Sequence, residues 1–336
     1  MTDVEFLVGI MKKLLQLLSY YWIYIIFLCF GIFWAYNEIS CLWEKRTDGF
    51  TIGAISSSRK PNPAWDVHPL SQDERDEFDK AVSQKYHYLA CGNQAFAFLS
   101  EDGRYVLKFF KQKLFVPPFP WKWLPSAWLK EGRRAKKVWK KEDKLRRDFE
   151  SYRMAFDELK EETGLILVHL NPTNWIGRKI SISDKIHLEH SIPLDDFNFI
   201  IQRRADLVYP TIDRLMAEGN INAAKEALSS ILHLFVSRCQ KGIADSDPDL
   251  DKNFGFIDGH AVQIDIGRFT RNMTKVKFHE RHLSPQSGLS EVEPPVIKDS
   301  FKAWLLESHP ALYEQFMKEY QTLCDQNGFK PQSRVL

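Results

Sequence analysis

The chain has 336 residues, 44% of them apolar and 27% charged, with a formal net charge of +2. That size and composition fit one or two packed domains and exclude a chain disordered throughout. A balance so close to neutral does not nominate nucleic acid as a partner. The five cysteines (Cys29, Cys41, Cys91, Cys239, Cys324) are far apart, with no C-x-x-C pair. They fit reduced thiols better than a disulfide framework or a zinc site.

After an N-terminal flank of residues 1–13, residues 14–36 read LLQLLSYYWIYIIFLCFGIFWAY without a charge. At about 1.5 Å rise per residue this stretch covers the ~30 Å hydrocarbon core of a bilayer. Tyr20, Tyr21, Trp22 and Tyr24 towards one end, with Trp34 and Tyr36 at the other, suit the two membrane interfaces. A buried core helix rarely runs so long without charge. A cleaved leader, which Lys12 and Lys13 would open, should be shorter and followed by a small-x-small site, and none follows. The expectation is a single transmembrane helix. Lys12 and Lys13 before it nearly balance Lys45 and Arg46 after it, so charge does not set its orientation. Residues 37–70 are mixed and turn-rich and read as a linker. Ser71-Gln72-Asp73-Glu74 then has the form of a capping box, opening a short helix to about residue 84.

Residues 86–111, YHYLACGNQAFAFLSEDGRYVLKFFK, hold two apolar runs around Asp102-Gly103, a two-residue hairpin signal. Counting outward from that turn sets Ala97 opposite Lys108. Ala90, Gly92 and Ala95 form a small-residue version of G-x-G-x-x-G, a spacing that lets backbone N–H groups approach phosphate. Lys108 lies among Val106, Leu107, Phe109 and Phe110. An ammonium inside an apolar strand needs a partner, unless the strand is an edge and the lysine faces water. A helix stripe at Leu145, Phe149, Tyr152, Phe156 and Leu159 follows. Glu150 borders that stripe and is the expected partner of Lys108, with Asp148 and Asp157 as rivals.

Between strand and helix, residues 114–147 form an insertion. Its prolines (Pro117, Pro118, Pro120, Pro125) exclude regular structure at first, and Trp121, Trp123 and Trp128 are amphipathic. From Lys130 to Arg147 it carries ten Lys/Arg against three Glu/Asp. Basic residues beside tryptophans suit an anionic membrane surface, at about 1 kcal/mol per near-surface charge. The alternative is a solvated basic helix with its tryptophans packed on the domain.

A second hairpin lies in residues 242–269, GIADSDPDLDKNFGFIDGHAVQIDIGRF, behind a helix over 222–241. Asp258-Gly259 is the turn. Pairing Ile257 with His260 and counting outward sets Asn253 opposite Ile264, beside Asp265. An amide oxygen and a carboxylate there are hard ligands of the kind Mg2+ takes together with phosphates. Asp245, Asp247, Asp249 and Asp251 crowd the loop upstream, where one of them can orient or deprotonate a hydroxyl. The competing reading is a solvated acidic turn.

The order of these features resembles the protein-kinase-like superfamily: small-residue loop, strand lysine, helix glutamate, extended strand, long helix, acidic loop, Asn, then Asp-x-Gly. The resemblance covers roughly residues 86–269. It implies an α+β, two-lobed fold after the transmembrane helix. The kinase-like domain would span 71–336, with a β-rich small lobe over 71–205 and a helical lobe over 206–336. It implies a cleft that binds ATP and Mg2+. Ala90, Gly92 and Ala95 would stand for the glycine loop, Lys108 and Glu150 for the lysine–glutamate pair, and residues 197–205 for the strand into the hinge. Asn253 would be the loop metal ligand and Asp265-Ile266-Gly267 the Asp-Phe-Gly equivalent. Asp245 or Asp247 would be catalytic.

The chain departs from that pattern in three ways. Pro248 stands five residues before Asn253, where the family has its catalytic aspartate. No Ala-Pro-Glu follows Gly267, and only 69 residues remain after it. The resemblance is therefore to compact atypical kinases, or to a pseudokinase that serves as a membrane-tethered nucleotide-binding or scaffold module. The acceptor can be a protein or a small molecule. An ATP-using domain is expected to face the cytoplasm.

Overall fold

The computed structural model describes residues 3–116, 131–245, 249–271 and 301–326. Within them the chain is α+β, with a curled β-sheet lobe, a helical region and one long apolar helix at the N-terminus.

That helix, α1 (Asp3–Thr47), continues well past the expected end at residue 36. Its stretch Tyr20–Thr47 contains an apolar window long enough to cross a membrane, and none of that window is buried against the protein. This fits a single-pass anchor. Residues 37–47, expected as linker, thus continue the helix. The residues just beyond it pack: Phe50 and Ile55, the latter in α2 (Ile52–Ile55), are 2% and 0% exposed in the core of the sheet lobe. Phe50 meets Phe96 and Phe98 edge-on at 5.2 and 5.3 Å. Thr47 is buried, Asp48 takes a left-handed φ of 52°, and its carboxylate accepts from Tyr88 Oη (2.6 Å) and Lys185 Nζ (2.8 Å). The stretch is folded down because it carries large apolar side chains that the sheet can cover.

Helix α3 (Gln72–Val82) begins with the expected capping box, Ser71 and Glu74 bonding each other's backbone N–H. Strands β1 (Tyr86–Cys91), β2 (Ala95–Ser100), β3 (Tyr105–Phe110), β4 (Leu165–His169), β5 (Lys179–Ser183), β6 (Glu189–Pro193) and β7 (Phe199–Arg203) form one seven-stranded sheet. Its order is β4-β7-β3-β2-β1-β5-β6. The β2–β3 register sets Ala97 opposite Lys108, as the turn predicts. Strand β3 lies between β2 and β7, so Lys108 is on a central strand and not an edge.

Against the sheet runs α4 (Glu131–Glu158), followed by α5 (Lys160–Thr163). The basic run expected as part of an insertion is therefore the first half of a helix whose second half buries Leu145, Phe149, Tyr152 and Phe156. The proline- and tryptophan-rich residues 117–130 lie outside the described residues.

The chain leaves the sheet at Arg203 and within three residues enters β8 (Asp206–Leu207), which pairs with β10 (Phe254–Ile257). The strand expected over residues 197–205 is present as β7, and the chain crosses from it to a second sheet. Helices α6 (Val208–Ala217) and α7 (Ile221–Gln240) follow, with Asn220 capping the latter. Strand β9 (Ile243–Asp245) pairs with β12 (Phe269–Arg271), and β10 pairs with β11 (His260–Gln263). Helices α8 (Phe301–Ser308) and α9 (Pro310–Gln326) close a second core on α7. Gly255 allows the crossing: a Cβ there would fall 2.5 Å from the Asp206 carbonyl oxygen.

Phe50→Ala removes a filled core position from what reads as linker. It is expected to cost about 3–5 kcal/mol of unfolding free energy, measured by chemical denaturation of the detergent-solubilised chain. A loss below about 1 kcal/mol would be that of an unpacked residue.

Candidate functional site

Lys108 reaches from the middle of β3 into the space between the two cores. Its Nζ donates to Gln202 Oε1 (3.0 Å) and to the Ile264 carbonyl oxygen (2.7 Å). Burial pushes its pKa down, and the Asp265 carboxylate nearby holds it up. The lysine therefore meets the Asp265-Ile266-Gly267 segment by way of the adjoining carbonyl, and not the α4 carboxylate that the sequence reading names.

Glu150 does not join it. The face of α4 turned to the sheet is set by Phe149, Tyr152 and Phe156, and at 100° per residue Glu150 falls outside that face. It is exposed and pairs with Arg146 at 2.9 Å. Of its rivals, Asp148 is buried but pairs with Lys144 (2.7 Å), and Asp157 pairs with His68 (3.0 Å). What α4 does bring is Ser151 and Tyr152. Ser151 Oγ donates to the Ile266 carbonyl and accepts from the Phe269 N–H (2.7 Å), clamping the segment that carries Asp265. Burial pushes the Tyr152 phenol well up, with the charge of Asp265 acting in the same direction.

The second hairpin folds in the predicted register, with Ile257 opposite His260 and Phe254 opposite Gln263. The Asn253 carbonyl accepts from the Ile264 N–H (2.8 Å) and the Asp265 N–H (3.5 Å). Asn253 is buried and Asp265 exposed at this end of the hairpin. An amide and a carboxylate are donors that fit Mg2+ when phosphate supplies further oxygens. Among the described residues no group of three or more His, Cys, Asp or Glu side chains could hold an ion unaided.

The small-residue loop turns between Cys91 and Ala95, with Ala90 paired to Ala97 in the strand and the Gly92 N–H bonded to the Ala95 carbonyl (2.9 Å). Lys111 secures it, donating through Nζ to the Gly92 carbonyl (2.6 Å). At the tip, Gln94 lies directly on Gly267, where a Cβ would fall 2.2 Å from Gln94 Oε1. Loop and Asp-Ile-Gly segment thus touch, and glycine at 267 makes room for it.

Asp245 is buried in an ion pair. It ends β9 with its side chain 2% exposed, 3.9 Å from the guanidinium of Arg238, whose side chain is 1% exposed. Gln263 lies between: its amide NH2 donates to Asp245 Oδ2 and to the Asp265 carbonyl (3.1 Å), and its oxygen accepts from Arg238 Nη1. Gln202 continues the chain, donating to the Gln263 carbonyl (3.3 Å) while it accepts from Lys108. Burial lowers the pKa of Arg238 and the charge of Asp245 opposes that. Asp247 lies outside the described residues. Asp249 braces the loop, accepting from the Asn253 N–H through its carbonyl (2.9 Å) and from the Asp251 N–H through Oδ1 (3.1 Å).

Sequence reasoning does not single out Gln202, Gln263, Arg238, Gln94 or Ser151. For the first two a signal exists. Each is a polar side chain in an apolar strand, FIIQR and HAVQ, the argument that picks out Lys108.

No family model matches the chain, and no curated protein does. Among solved structures it is similar to WbdD with the kinase inhibitor LY294002, at 11% identity and TM-score 0.32 over 71% of this chain and 45% of that one. A second WbdD structure gives 14% identity and TM-score 0.31, over 72% and 50%. WbdD is a bifunctional kinase-methyltransferase, and this chain spans about half the length of the WbdD chains it matches. Rv3197 with erythromycin, from Mycobacterium tuberculosis, gives 12% identity and TM-score 0.31, over 88% and 93%. At TM-scores this low the likeness carries no weight for chemistry, and the site's own geometry has to.

Asp245→Asn leaves the Arg238 charge buried without its counter-ion. It is expected to cost about 3–5 kcal/mol in chemical denaturation. Glu150→Gln removes only an exposed i,i+4 pair, worth at most about 0.5 kcal/mol. An Asp245→Asn protein of normal stability would make Asp245 a catalytic candidate again.

Proposed function

We propose that this is a membrane-anchored kinase-like protein that binds ATP with Mg2+ and transfers the γ-phosphoryl group to a hydroxyl acceptor. One observation carries the reading. A partly buried lysine on the third strand of the sheet converges with Asp265, and Asp265 is bonded through its backbone to Asn253 across the end of the second hairpin. A strand lysine, an Asp-x-Gly aspartate and a loop asparagine are the set that protein kinases use on phosphates and metal.

In this reading Lys108 holds the α- and β-phosphates, and Asp265 with Asn253 holds Mg2+. Bound nucleotide would supply the activated phosphoryl group. The chain's own residues position it: Ser151 fixes the Asp265 segment, Lys111 fixes the loop of Ala90, Gly92 and Ala95, and Gln202 orients Lys108. Asp247 takes the acceptor hydroxyl, because Asp245 is committed to Arg238. ATP is a cytoplasmic reagent, so the domain lies on the cytoplasmic side of its anchor.

A second reading has a specific observation behind it. Asp245 is sealed in an ion pair, and among its described residues α4 offers Lys108 no carboxylate. Those two features favour a catalytically silent pseudokinase-like module that binds nucleotide, or only keeps the fold, on the membrane.

Titrating ATP into the full-length chain in detergent, with and without Mg2+, tests both. Metal-dependent binding is expected to weaken at least about tenfold in Lys108→Met, about 1.4 kcal/mol or more. In Asp265→Asn the Mg2+ dependence should disappear. Wild-type protein that does not bind ATP at millimolar concentration sinks the nucleotide reading. If ATP binds, Asp247→Asn separates the two: loss of transfer with binding intact marks an enzyme, and absence of transfer in the wild type as well marks the silent module.

A further inference from the structure

The junction between α1 and the domain has no slack, and it places a particular surface close to the membrane. Exposed Trp43 is followed by Glu44, Lys45 and Arg46, and at Thr47 the chain is already buried in the domain. Glu44 pairs with Lys113 (3.6 Å), in the short 3-10 turn Gln112–Leu114. The Leu114 carbonyl of that turn accepts from Lys141 Nζ of α4 (2.9 Å). Two contacts therefore join the end of the anchor helix to the basic half of α4.

That half is KEGRRAKKVWKK, residues 130–141, with seven Lys/Arg against one Glu. Within it Lys136 and Lys140 are exposed and have no acidic partner among the described residues, and Trp139 is 62% exposed beside them. The C-terminal continuation differs. There Arg146 and Arg147 are matched by Asp143 and Glu150. The uncompensated charge is thus confined to the part of α4 that adjoins the anchor.

Distance decides whether a bilayer would feel it. If the span ends at Tyr36, ten helical residues lie between it and Thr47, about 16 Å of rise from one to the other. A headgroup layer of roughly 5–8 Å takes up part of this. The remainder is about one Debye length at physiological salt. If the span uses the whole apolar stretch to Trp43, Lys45 and Arg46 stand in the headgroups themselves.

We propose that Lys45, Arg46, Lys113, Lys136 and Lys140, with Trp139, form a membrane-proximal collar that binds anionic lipid headgroups and fixes the domain's orientation on the bilayer. The lysines supply attraction to a negative surface and the exposed indole suits the interface. The collar rests on α1 being the anchor and is independent of nucleotide binding. Its occupant is a lipid surface, because the one segment that dictates what the collar meets is the helix beside it.

The test reconstitutes the full-length chain in nanodiscs of phosphatidylcholine alone or with one third phosphatidylserine, and follows hydrogen exchange in residues 131–147. Exchange in the first half of α4 is expected to slow at least about fivefold on the anionic discs only. The protection should vanish in half-molar salt and in a Lys136→Gln, Lys137→Gln, Lys140→Gln variant of unchanged melting temperature. Equal exchange on both discs, or protection that survives the substitutions, overturns the collar. Entry into both kinds of disc reports on the anchor separately. A chain that enters neither is floated with anionic vesicles, and failure to float overturns the collar as well. Protection by duplex RNA but not by anionic discs would assign the surface to nucleic acid and overturn it too.

Discussion

The junction between the sheet and the second hairpin depends on how one partly buried cation is compensated. Lys108 sits on a central strand between Leu107 and Phe109, both fully buried, where an unpaired ammonium would be costly. Among the described residues no carboxylate touches it. A side-chain amide and a backbone carbonyl do, with Asp265 acting through its charge. Because the carbonyl belongs to Ile264, the lysine's own need for a partner draws the Asp-Ile-Gly segment up to the sheet. The hydrogen bonds that satisfy it thereby join the sheet lobe to the second hairpin.

Behind Lys108 the compensation is passed on. Gln202 and Gln263 each use their amides in both directions, so that a chain of bonds leads from the lysine to a second buried cation, Arg238. Arg238 is held by Asp245 and by the faces of Phe235, Phe269 and Phe254 at 5.0, 5.8 and 6.0 Å. A connected polar network of this kind fixes one arrangement of its strands, since each broken link strands a buried group. The same reasoning gives Asp245 an architectural role, as the carboxylate beside a buried guanidinium.

The end of the molecule at α1 obeys a different constraint. Phe50 and Ile55 are too apolar to trail in solvent, and once they enter the core the anchor helix has only a few residues in which to stop. The left-handed Asp48 makes that stop, its carboxylate tied to Tyr88 and Lys185. A helix joined in this way holds a fixed orientation to the domain, with no flexible linker between them.

Features that are local or periodic could be read from the residues alone. The capping box at Ser71 and Glu74, the α4 and α7 stripes and both hairpin registers fall where turn chemistry and helical periodicity put them. Those two registers were enough to bring Lys108 onto a paired strand and Asn253 beside Asp265. The apolar N-terminal helix was equally legible, though not its end, because nothing in residues 37–47 breaks a helix. Pairings between distant segments were settled by the fold. Glu150 and Asp148 differ by two positions on one helix, and the rotation of α4 against the sheet, set by Phe149 and Phe156, turns the first to solvent. Asp245 and Arg238 are close in sequence, yet their pairing needed β9 to be laid against β12. Spacing records which residues can share a face; which face is buried, and against what, is fixed by packing among elements far apart in the chain.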